Sequence, residues 1–340
     1  MEGGVGISSG EDRISSLPEE LLCLILDSLT LKDVVRTSVL SSRWRNVWLR
    51  VSRLELNISD FPNQDTCVSF LDKFHNGSNL SEFKLNVETH VLGFKESVLE
   101  PCLSRFLKHK IQRFEFVNGI NISYGEAVVI DAPRLKYLSL NGCNCRNCKI
   151  TNMGASIKVD IDVTFDSTDW QRNIVHNFFN NFSCAGEMTI SWNSLRCIQI
   201  NRDLPKFHDM SRLCVTIRPE ASPKLVPFFL ECCPNLKYLT VKLFPGSILA
   251  EETTPPVLLP CCMNSSLECV GIKCWITERA TELKLVRYFL ENSSTIKNLA
   301  LHLKHESGGR MKHEPGVLKQ LFEIPRRSSL CQFVILETAL

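Results

Sequence analysis

The stretch LVPFFLECCPNLKYLTV (225–241) has the same pattern as a later stretch, LVRYFLENSSTIKNLAL (285–301). In each, apolar residues three and four positions apart are followed by a polar turn and then by alternating apolar and polar residues. The first spacing is typical of an amphipathic helix, and the alternation is typical of a strand with one buried face. The two stretches share seven of their seventeen positions, so we expect a repeated helix–turn–strand unit.

The strand half of this unit recurs along the chain, with the template apolar-x-x-apolar-x-apolar. Where it recurs cleanly the spacing is about 24 to 31 residues, and helical patterns precede two copies, at 67–77 and 98–110. A repeat of this length and template is the signature of a leucine-rich-repeat solenoid, an α/β fold. The period is kept poorly at 145–193, where ASIKVDIDVTF (155–165) is a candidate strand. The copies are VSRLEL (51), LSEFKL (80), IQRFEF (111), PRLKYLSL (133), NSLRCIQI (193), PNLKYLTV (234), SSLECVGI (265) and STIKNLAL (294).

The segment SLPEELLCLILDSL (16–29) is unusual for a surface helix because it is apolar on two faces. Apolar residues at i, i+3, i+4 and i+7 from Leu22 form one stripe, and Leu21 and Leu24 lie off that stripe. A helix that is apolar all round is normally buried by its surroundings. We therefore expect the adjoining repeats to cover one face and a partner protein to cover the other.

Cap residues predict three helices in this N-terminal segment. Ser16, followed by Glu19, has the spacing of a capping box. Thr30 with Asp33 opens a second helix, and Ser41 opens a third. Three helices in about forty residues bury too little area for so many Leu, Ile and Trp side chains, which again indicates contacts outside the segment.

The N-terminal residues DRISSLPEELLCLILDSLTLKDVVRTSVLSSRWRNVW (12–48) resemble an F-box. The resemblance extends to about residue 53 and includes the Leu-Pro start and the closing Leu-Ser-x-x-Trp element. It implies docking on the Skp-type adaptor of a cullin-RING ubiquitin ligase. The adaptor-binding residues implied by the resemblance are Leu17, Pro18, Leu22, Ile25, Leu26, Leu29, Val34, Val35, Leu40 and Trp44.

The C-terminal part resembles the FBD region that follows leucine-rich repeats in a large group of plant F-box proteins. The matching stretches are SSLECVGIKCW, ELKLVRYFLENSSTIKNLAL and PRRSSLCQFVIL, and they could equally be the last repeats of the solenoid. We therefore expect a Gly- and Ser-rich, disordered start (1–11), a three-helix F-box (12–53), leucine-rich repeats (54–258) and an FBD-like region that continues the solenoid (259–335).

Charge and composition point away from several classes of function. The 340 residues carry 39 Lys and Arg against 37 Asp and Glu, so no strong field attracts nucleic acid or a membrane surface. Neither a secretory signal nor a membrane-spanning apolar run is recognised in the sequence, and we expect an intracellular location, nucleus or cytoplasm. A basic cluster surrounds two Trp residues, but the near-neutral net charge argues against nucleic-acid binding. Its members are Arg43, Arg45, Arg50 and Arg53.

The sequence contains none of the nucleophile, zinc-protease or phosphate-loop signatures of catalytic or cofactor-binding sites. Asp160 and Asp162 alternate with apolar residues, and a solvated strand face explains them better than acid–base catalysis. His302 and His305 lack a third ligand. We expect no cofactor and no metal.

The preferred interpretation is a non-catalytic substrate receptor. The F-box would bind the adaptor, and the repeats would hold a still unidentified target protein for ubiquitination by other subunits. An F-box repeat scaffold or small-ligand sensor that does not direct degradation is the alternative, and an enzyme with a divergent site is the third possibility.

The cluster CNCRNC (143–148) gives a first test. Three closely spaced cysteines suggest zinc, but structural zinc sites take four ligands, usually as two spaced pairs. We expect elemental analysis of the purified protein to find no stoichiometric zinc, and Cys145→Ser to leave the melting temperature nearly unchanged. One equivalent of zinc that is lost on this substitution would show that the cluster is a metal site.

Overall fold

The computed structural model describes residues 13–74, 80–87, 111–117, 121–122, 128–145, 148–165, 172–201, 204–244, 259–275, 279–305 and 321–339. The expected disordered start (1–11) and the expected helix at 98–110 lie outside these ranges.

A twelve-stranded sheet dominates the described residues, and every neighbouring pair of strands in it is parallel. Its main path follows the order of the chain, β1-β2-β3-β6-β8-β9-β10-β11-β12-β13-β14, with β4 beside β6, while β5 and β7 pair separately. The strands are β1 (Arg53–Asn57), β2 (Glu82–Asn86), β3 (Arg113–Val117), β4 (Asn121–Ile122), β5 (Val128–Asp131), β6 (Tyr137–Cys145), β7 (Cys148–Thr151), β8 (Lys158–Thr164), β9 (Glu187–Ile190), β10 (Arg212–Ile217), β11 (Tyr238–Leu243), β12 (Cys269–Trp275), β13 (Asn298–His305) and β14 (Gln332–Ala339).

The register aligns equivalent residues of successive strands, so each face of the sheet consists of rows of side chains. On one face the rows are apolar and buried, as the two-residue alternation of the strand motif predicts. One such row consists of Leu54, Phe83, Phe114, Leu138, Val159, Met188, Leu213, Leu239, Val270, Leu299 and Phe333.

Helices connect many of the strands, and their apolar sides belong to the same buried cluster as the apolar rows. The mixed helix and strand composition expected from the sequence is therefore confirmed. The described α-helices are α1 (Glu19–Asp27), α2 (Leu31–Arg36), α3 (Gln64–Phe74), α4 (Arg172–Asn180), α5 (Trp192–Asn201), α6 (Ser222–Cys232) and α7 (Arg279–Asn292).

One predicted strand is wrong. NSLRCIQI (193–200) lies within helix α5, which forms part of the crossover between β9 and β10. Its buried residues Leu195 and Ile198 are three apart, a spacing that suits a helix as well as the strand template. The hydroxyl of Ser194 accepts the backbone N–H of Val163 at 2.8 Å, which ties the helix to β8.

Three described strands of the main path were not predicted, namely Glu187–Ile190, Arg212–Ile217 and Gln332–Ala339. The first has only four residues, too short for the template to be recognised. The candidate strand in ASIKVDIDVTF is confirmed as β8, and the other seven strand motifs coincide with strands.

The N-terminal segment differs from expectation at two of its three caps. Helix α1 begins after Pro18, and no side chain caps it; Ser16 donates instead to the carbonyl of Arg13 at 2.7 Å. Thr30 does cap α2, accepting the backbone N–H of Asp33. The third predicted helix is a 3₁₀ helix at Trp44–Arg50, and Ser41 contributes its carbonyl rather than its side chain.

An aromatic stack and a pair of hydrogen bonds are among the contacts that join this segment to the rest of the chain. The ring of Trp48 stacks on Phe70 of α3, with ring centroids 5.6 Å apart. At the end of α1, the Asp27 carboxylate accepts the backbone N–H of Ser52 at 3.0 Å and the Ser52 hydroxyl at 2.7 Å. Ser52 directly precedes β1, so the helices and the sheet share one core and a direct polar link.

The apolar row predicts a specific stability effect. Phe114 is buried and stacks on Phe83, with ring centroids 5.7 Å apart. We expect Phe114→Ala to lower the free energy of unfolding by about 3–5 kcal/mol, because it removes a large ring and leaves a cavity. Urea denaturation measures this loss. The control Arg134→Ala, in an exposed turn, should change it by less than about 0.5 kcal/mol, and equal effects of both variants would contradict the packing described here.

Candidate functional site

Helix α1 exposes an apolar surface that nothing else in the described chain covers. Leu21, Leu24 and Ile25 are 44%, 65% and 40% exposed, while Leu22 and Leu26 of the same helix are fully buried. Exposed apolar residues three and four apart lie side by side on a helix. Other exposed apolar side chains lie elsewhere in the N-terminal segment, before α1 and as far as Leu40. We call this set the N-terminal apolar surface: Ile14, Leu21, Leu24, Ile25, Leu29, Val39 and Leu40.

The ten residues predicted to bind an adaptor fall into two groups. Four of them, Leu22, Leu26, Val34 and Trp44, lie in the core of the chain. The other six reach the surface, fully or in part: Leu17, Pro18, Ile25, Leu29, Val35 and Leu40.

The predicted apolar stripe of α1 is wrong at one position. Ile25 does not share the buried face of Leu22 and lies on the exposed face with Leu21 and Leu24. Periodicity shows that a helix has two apolar faces, but only the packing of the rest of the segment decides which face turns inward. The Trp side chains of the segment, which the sequence predicts to need contacts outside it, are buried within the chain, as Trp44 and Trp48 show.

Polar contacts fix the residues that precede α1. The guanidinium of Arg43 donates to the carbonyls of Ser15 and Leu17, and the indole N–H of Trp44 donates to the Ser15 hydroxyl at 2.9 Å. The Leu-Pro start of the segment is therefore held against the 3₁₀ helix. This contact is one that sequence spacing did not indicate, because its partners lie more than twenty residues apart.

A cleft of about 380 Å³ lies between α1 and the start of β1. Arg50 and Glu19, which both line it, form an ion pair with 2.6 Å between nitrogen and oxygen. Burial raises the pKa of the Cys23 thiol in this cleft, and the nearby Glu19 and Asp27 add to the shift. The thiol is therefore protonated at neutral pH, which does not suit a nucleophile.

The second candidate surface is the face of the sheet opposite the apolar rows, which we call the polar face. Here the guanidinium of Arg113 lies 3.7 Å from the ring centre of Tyr137 and 2.6 Å from the carboxylate of Glu115. The Tyr137 hydroxyl donates to Asp160 Oδ2 at 2.6 Å. A similar pair, Arg212 over Tyr238 at 3.8 Å, lies on later strands.

Asp160 and Asp162 do lie on this face, but they are not simply solvated. Asp162 Oδ1 accepts the amide N–H of Asn193 at 3.0 Å and the hydroxyl of Ser191. Asp160 Oδ1 is buried and has no hydrogen-bond partner among the residues that the structure describes, so this oxygen lies beneath its neighbours. Both aspartates thus serve the packing of the polar face.

Within the described residues, no three His, Cys, Asp or Glu side chains are grouped so that they could hold a metal ion. The side chains of Cys143, Cys145, Cys148 and His305 are outside that part of the chain. Burial lowers the pKa of His302, and Lys273 lowers it further. Among the helices described, none has the length and apolar character needed to cross a membrane.

Comparison with known proteins identifies both ends of the chain. The F-box domain model matches residues 14–56, and the FBD model matches residues 255–301. An F-box/FBD/LRR-repeat protein of Arabidopsis thaliana is 37% identical over 445 aligned positions, covering 96% of this chain and 92% of the relative. The chain belongs to this F-box/FBD/LRR-repeat family. The family resemblance read from the sequence is therefore confirmed.

Other members of the F-box/FBD/LRR-repeat family in the same plant are also similar along the whole chain. An FBD-associated F-box protein is 38% identical, covering 99% of this chain and 100% of the relative. A second FBD-associated F-box protein is 28% identical and covers 98% of this chain. The 445 positions aligned with the first relative exceed the 340 residues here, so that relative has stretches without a counterpart in this chain.

The Tyr137–Asp160 pair predicts a pH dependence. Burial, the hydrogen bond to Asp160 and its negative charge raise the pKa of Tyr137 to about 12, above the ordinary value of about 10. A pKa raised by folding means that the stabilising contribution is complete below pH ~10 and is lost as the pH rises through ~12.

We therefore expect Tyr137→Phe to be less stable than the natural chain at pH 8 and to differ less from it at pH 11.5. Urea denaturation at the two pH values measures the difference, and absorbance at 295 nm should show one late-titrating tyrosine fewer in the variant. A stability difference that is the same at both pH values would contradict this assignment.

Proposed function

We propose that the chain is the substrate-recognition subunit of a Skp–cullin–F-box ubiquitin ligase. One observation carries the proposal: a helix within the residues that match the F-box model exposes Leu21, Leu24 and Ile25. An exposed apolar patch is a liability in a monomer and normally marks a protein-interaction surface. F-box proteins generally act as substrate adaptors of such ligases, so a Skp-type adaptor is the partner expected here.

In this proposal the ten residues predicted from the family have two different roles. Pro18, Ile25, Leu29 and Leu40 are exposed and would contact the adaptor, together with the partly buried Leu17 and Val35. The contact set also includes Leu21 and Leu24, which are exposed and were not among the ten. The buried Leu22, Leu26, Val34 and Trp44 would hold the surface in shape.

The remainder of the chain would present a target protein. We propose that the parallel sheet and its helices form a leucine-rich-repeat solenoid, beginning after a compact helical F-box and continuing through the FBD region. The polar face, with its charged and aromatic side chains, would bind the target. Holding two reactants close together raises the rate of their reaction without any catalytic residue in the receptor itself, and the chemistry would belong to other subunits.

A substitution on α1 tests the adaptor contact. We expect Ile25→Glu to weaken binding to a recombinant Skp-type adaptor at least ~30-fold, the effect of removing an interface residue worth about 2 kcal/mol. Calorimetric titration measures the affinity, and the melting temperature should hardly change because Ile25 is 40% exposed.

Leu336→Glu is the matched control, since Leu336 is 41% exposed at the other end of the chain. It should bind the adaptor with unchanged affinity. Full affinity of the Ile25→Glu variant would refute the docking surface, as would equal losses in both variants.

A ubiquitination assay distinguishes the receptor from the alternative, a scaffold or ligand sensor that does not direct degradation. Proteins that bind the chain with or without residues 1–50 are candidate targets. If these proteins are not ubiquitinated more in the presence of the intact chain, adaptor and cullin, the receptor role fails while adaptor docking stands.

A further inference from the structure

The balance of cationic and acidic side chains on the polar face changes along the sheet. From β1 to β9 its described cations have carboxylate neighbours: Lys84 pairs with Glu55 at 2.7 Å, and Arg113 with Glu115. On β10 only Arg212 continues this pattern, with Glu187 at 3.3 Å. Beyond that pair, the described polar-face side chains of β10 to β13 include no carboxylate.

Cationic side chains nevertheless persist on these later strands. The register aligns Lys242 of β11 with Lys273 of β12, and Lys273 with His302 of β13. Neither lysine forms an ion pair within the described part of the chain. Both lie near Cys214 of β10, where their positive charge lowers the thiol pKa against the larger, opposing effect of burial. We call Lys242, Lys273 and His302 the basic row.

A shallow trough runs beside the basic row. The next row of the same face contains Thr240, Gly271 and Ala300, which are small. A Cβ atom built on Gly271 would approach only the Thr240 hydroxyl within 4 Å, at 3.7 Å, so the space above the glycine is open. Tyr238, under the guanidinium of Arg212, stands on the far side of the trough.

The dimensions suit an extended peptide lying across the strands. Neighbouring strands are about 4.8 Å apart, so the backbones of Lys242 and Lys273 are separated by about 4.8 Å along the row. Alternate side chains of an extended chain are about 6.7 Å apart, and lysine side chains are long and flexible enough to absorb the difference. Carboxylates at positions i and i+2 of a peptide could therefore meet both lysines.

We propose that the basic row and its trough bind an extended acidic segment, rich in Asp or Glu, of the target protein. The proposal rests on the proposed receptor function, because it names the chemistry of the target. Among the described residues neither lysine has a carboxylate partner, and Lys242 hydrogen-bonds the Cys214 thiol, so carboxylates of a ligand would complement both charges. The trough has the floor of small residues that a backbone crossing the strands needs. His302, mostly neutral because its pKa is lowered, would contribute a hydrogen bond rather than a charge.

The test uses the full chain and a fluorescein-labelled peptide of five Glu-Ser repeats, with a peptide of five Gln-Ser repeats as comparison. Fluorescence anisotropy should show saturable binding of the Glu peptide that weakens as salt rises from 50 to 200 mM, because screening reduces the attraction. The Gln peptide should bind at least tenfold more weakly. Equal binding of the two peptides, or none, would overturn the proposal.

Two kinds of variant locate the site. Lys242→Gln combined with Lys273→Gln removes the charges, and Gly271→Val fills the trough without changing any charge. Valine favours strands, and the space at Gly271 is open, so Gly271→Val should fold with an undiminished melting temperature. Each variant should lower the affinity for the Glu peptide at least tenfold.

The matched control is Lys224→Gln combined with Lys284→Gln, which removes the same charge from exposed positions on helices α6 and α7. It should keep its affinity within twofold. An equal loss in the control would show that binding depends only on net charge and would overturn the proposal. The proposal would also fail if a twenty-residue oligothymidylate bound more tightly than the Glu peptide and the Lys242→Gln/Lys273→Gln variant abolished that binding. Adaptor binding, measured on the same preparations, should be unchanged in every variant. Adaptor affinity therefore tests the proposed docking function, and peptide affinity tests this site independently.

Discussion

The constraint on which the rest of the structure depends is the register of the parallel strands. From β1 to β13, each strand of the main path contributes two or three buried apolar residues, and the fixed register stacks these residues into continuous rows that extend from Leu54 to Phe333. A slip by one residue in any strand would turn its apolar side chains to the solvent and its charges into the core. The same constraint aligns the polar face, so the positions of Tyr137, Asp160 and the basic row follow from the packing of the opposite side.

The helical segment at the N-terminus depends on the sheet in a different way. Its core is completed by residues of the first strands and by α3, as the stacking of Trp48 on Phe70 shows. This leaves one face of α1 uncovered although the segment is otherwise well packed. The uncovered face of α1 and the polar face of the sheet are therefore built on one connected core. A protein bound at one of these faces has a defined position relative to the other.

Much of this arrangement could be predicted from the sequence. The apolar alternation predicted eight of the eleven strands of the main path, and the family motif predicted the F-box at the N-terminus. Other features could not be predicted, for physical reasons. NSLRCIQI fits both the strand template and a helix, and only the need to connect β9 with β10 decides between these two structures. Contacts such as Arg43 with the carbonyl of Leu17, or Tyr137 with Asp160, join residues far apart in sequence, and periodicity contains no information about them.

Because Asp27 is hydrogen-bonded to Ser52, the helical segment is attached at the first strand, and the number of strands sets its distance from any later position on the sheet. The path from β1 to β11 has seven strand steps, so at about 4.8 Å per step the basic row begins about 34 Å along the sheet from the helical segment. Each repeat inserted or deleted between them would move that row by one step and also rotate it through the twist of the sheet. In the receptor proposed above, the number of strands between the two surfaces would therefore set how far a bound target lies from the adaptor, and with it which lysines of the target come within range of the ubiquitin-conjugating enzyme.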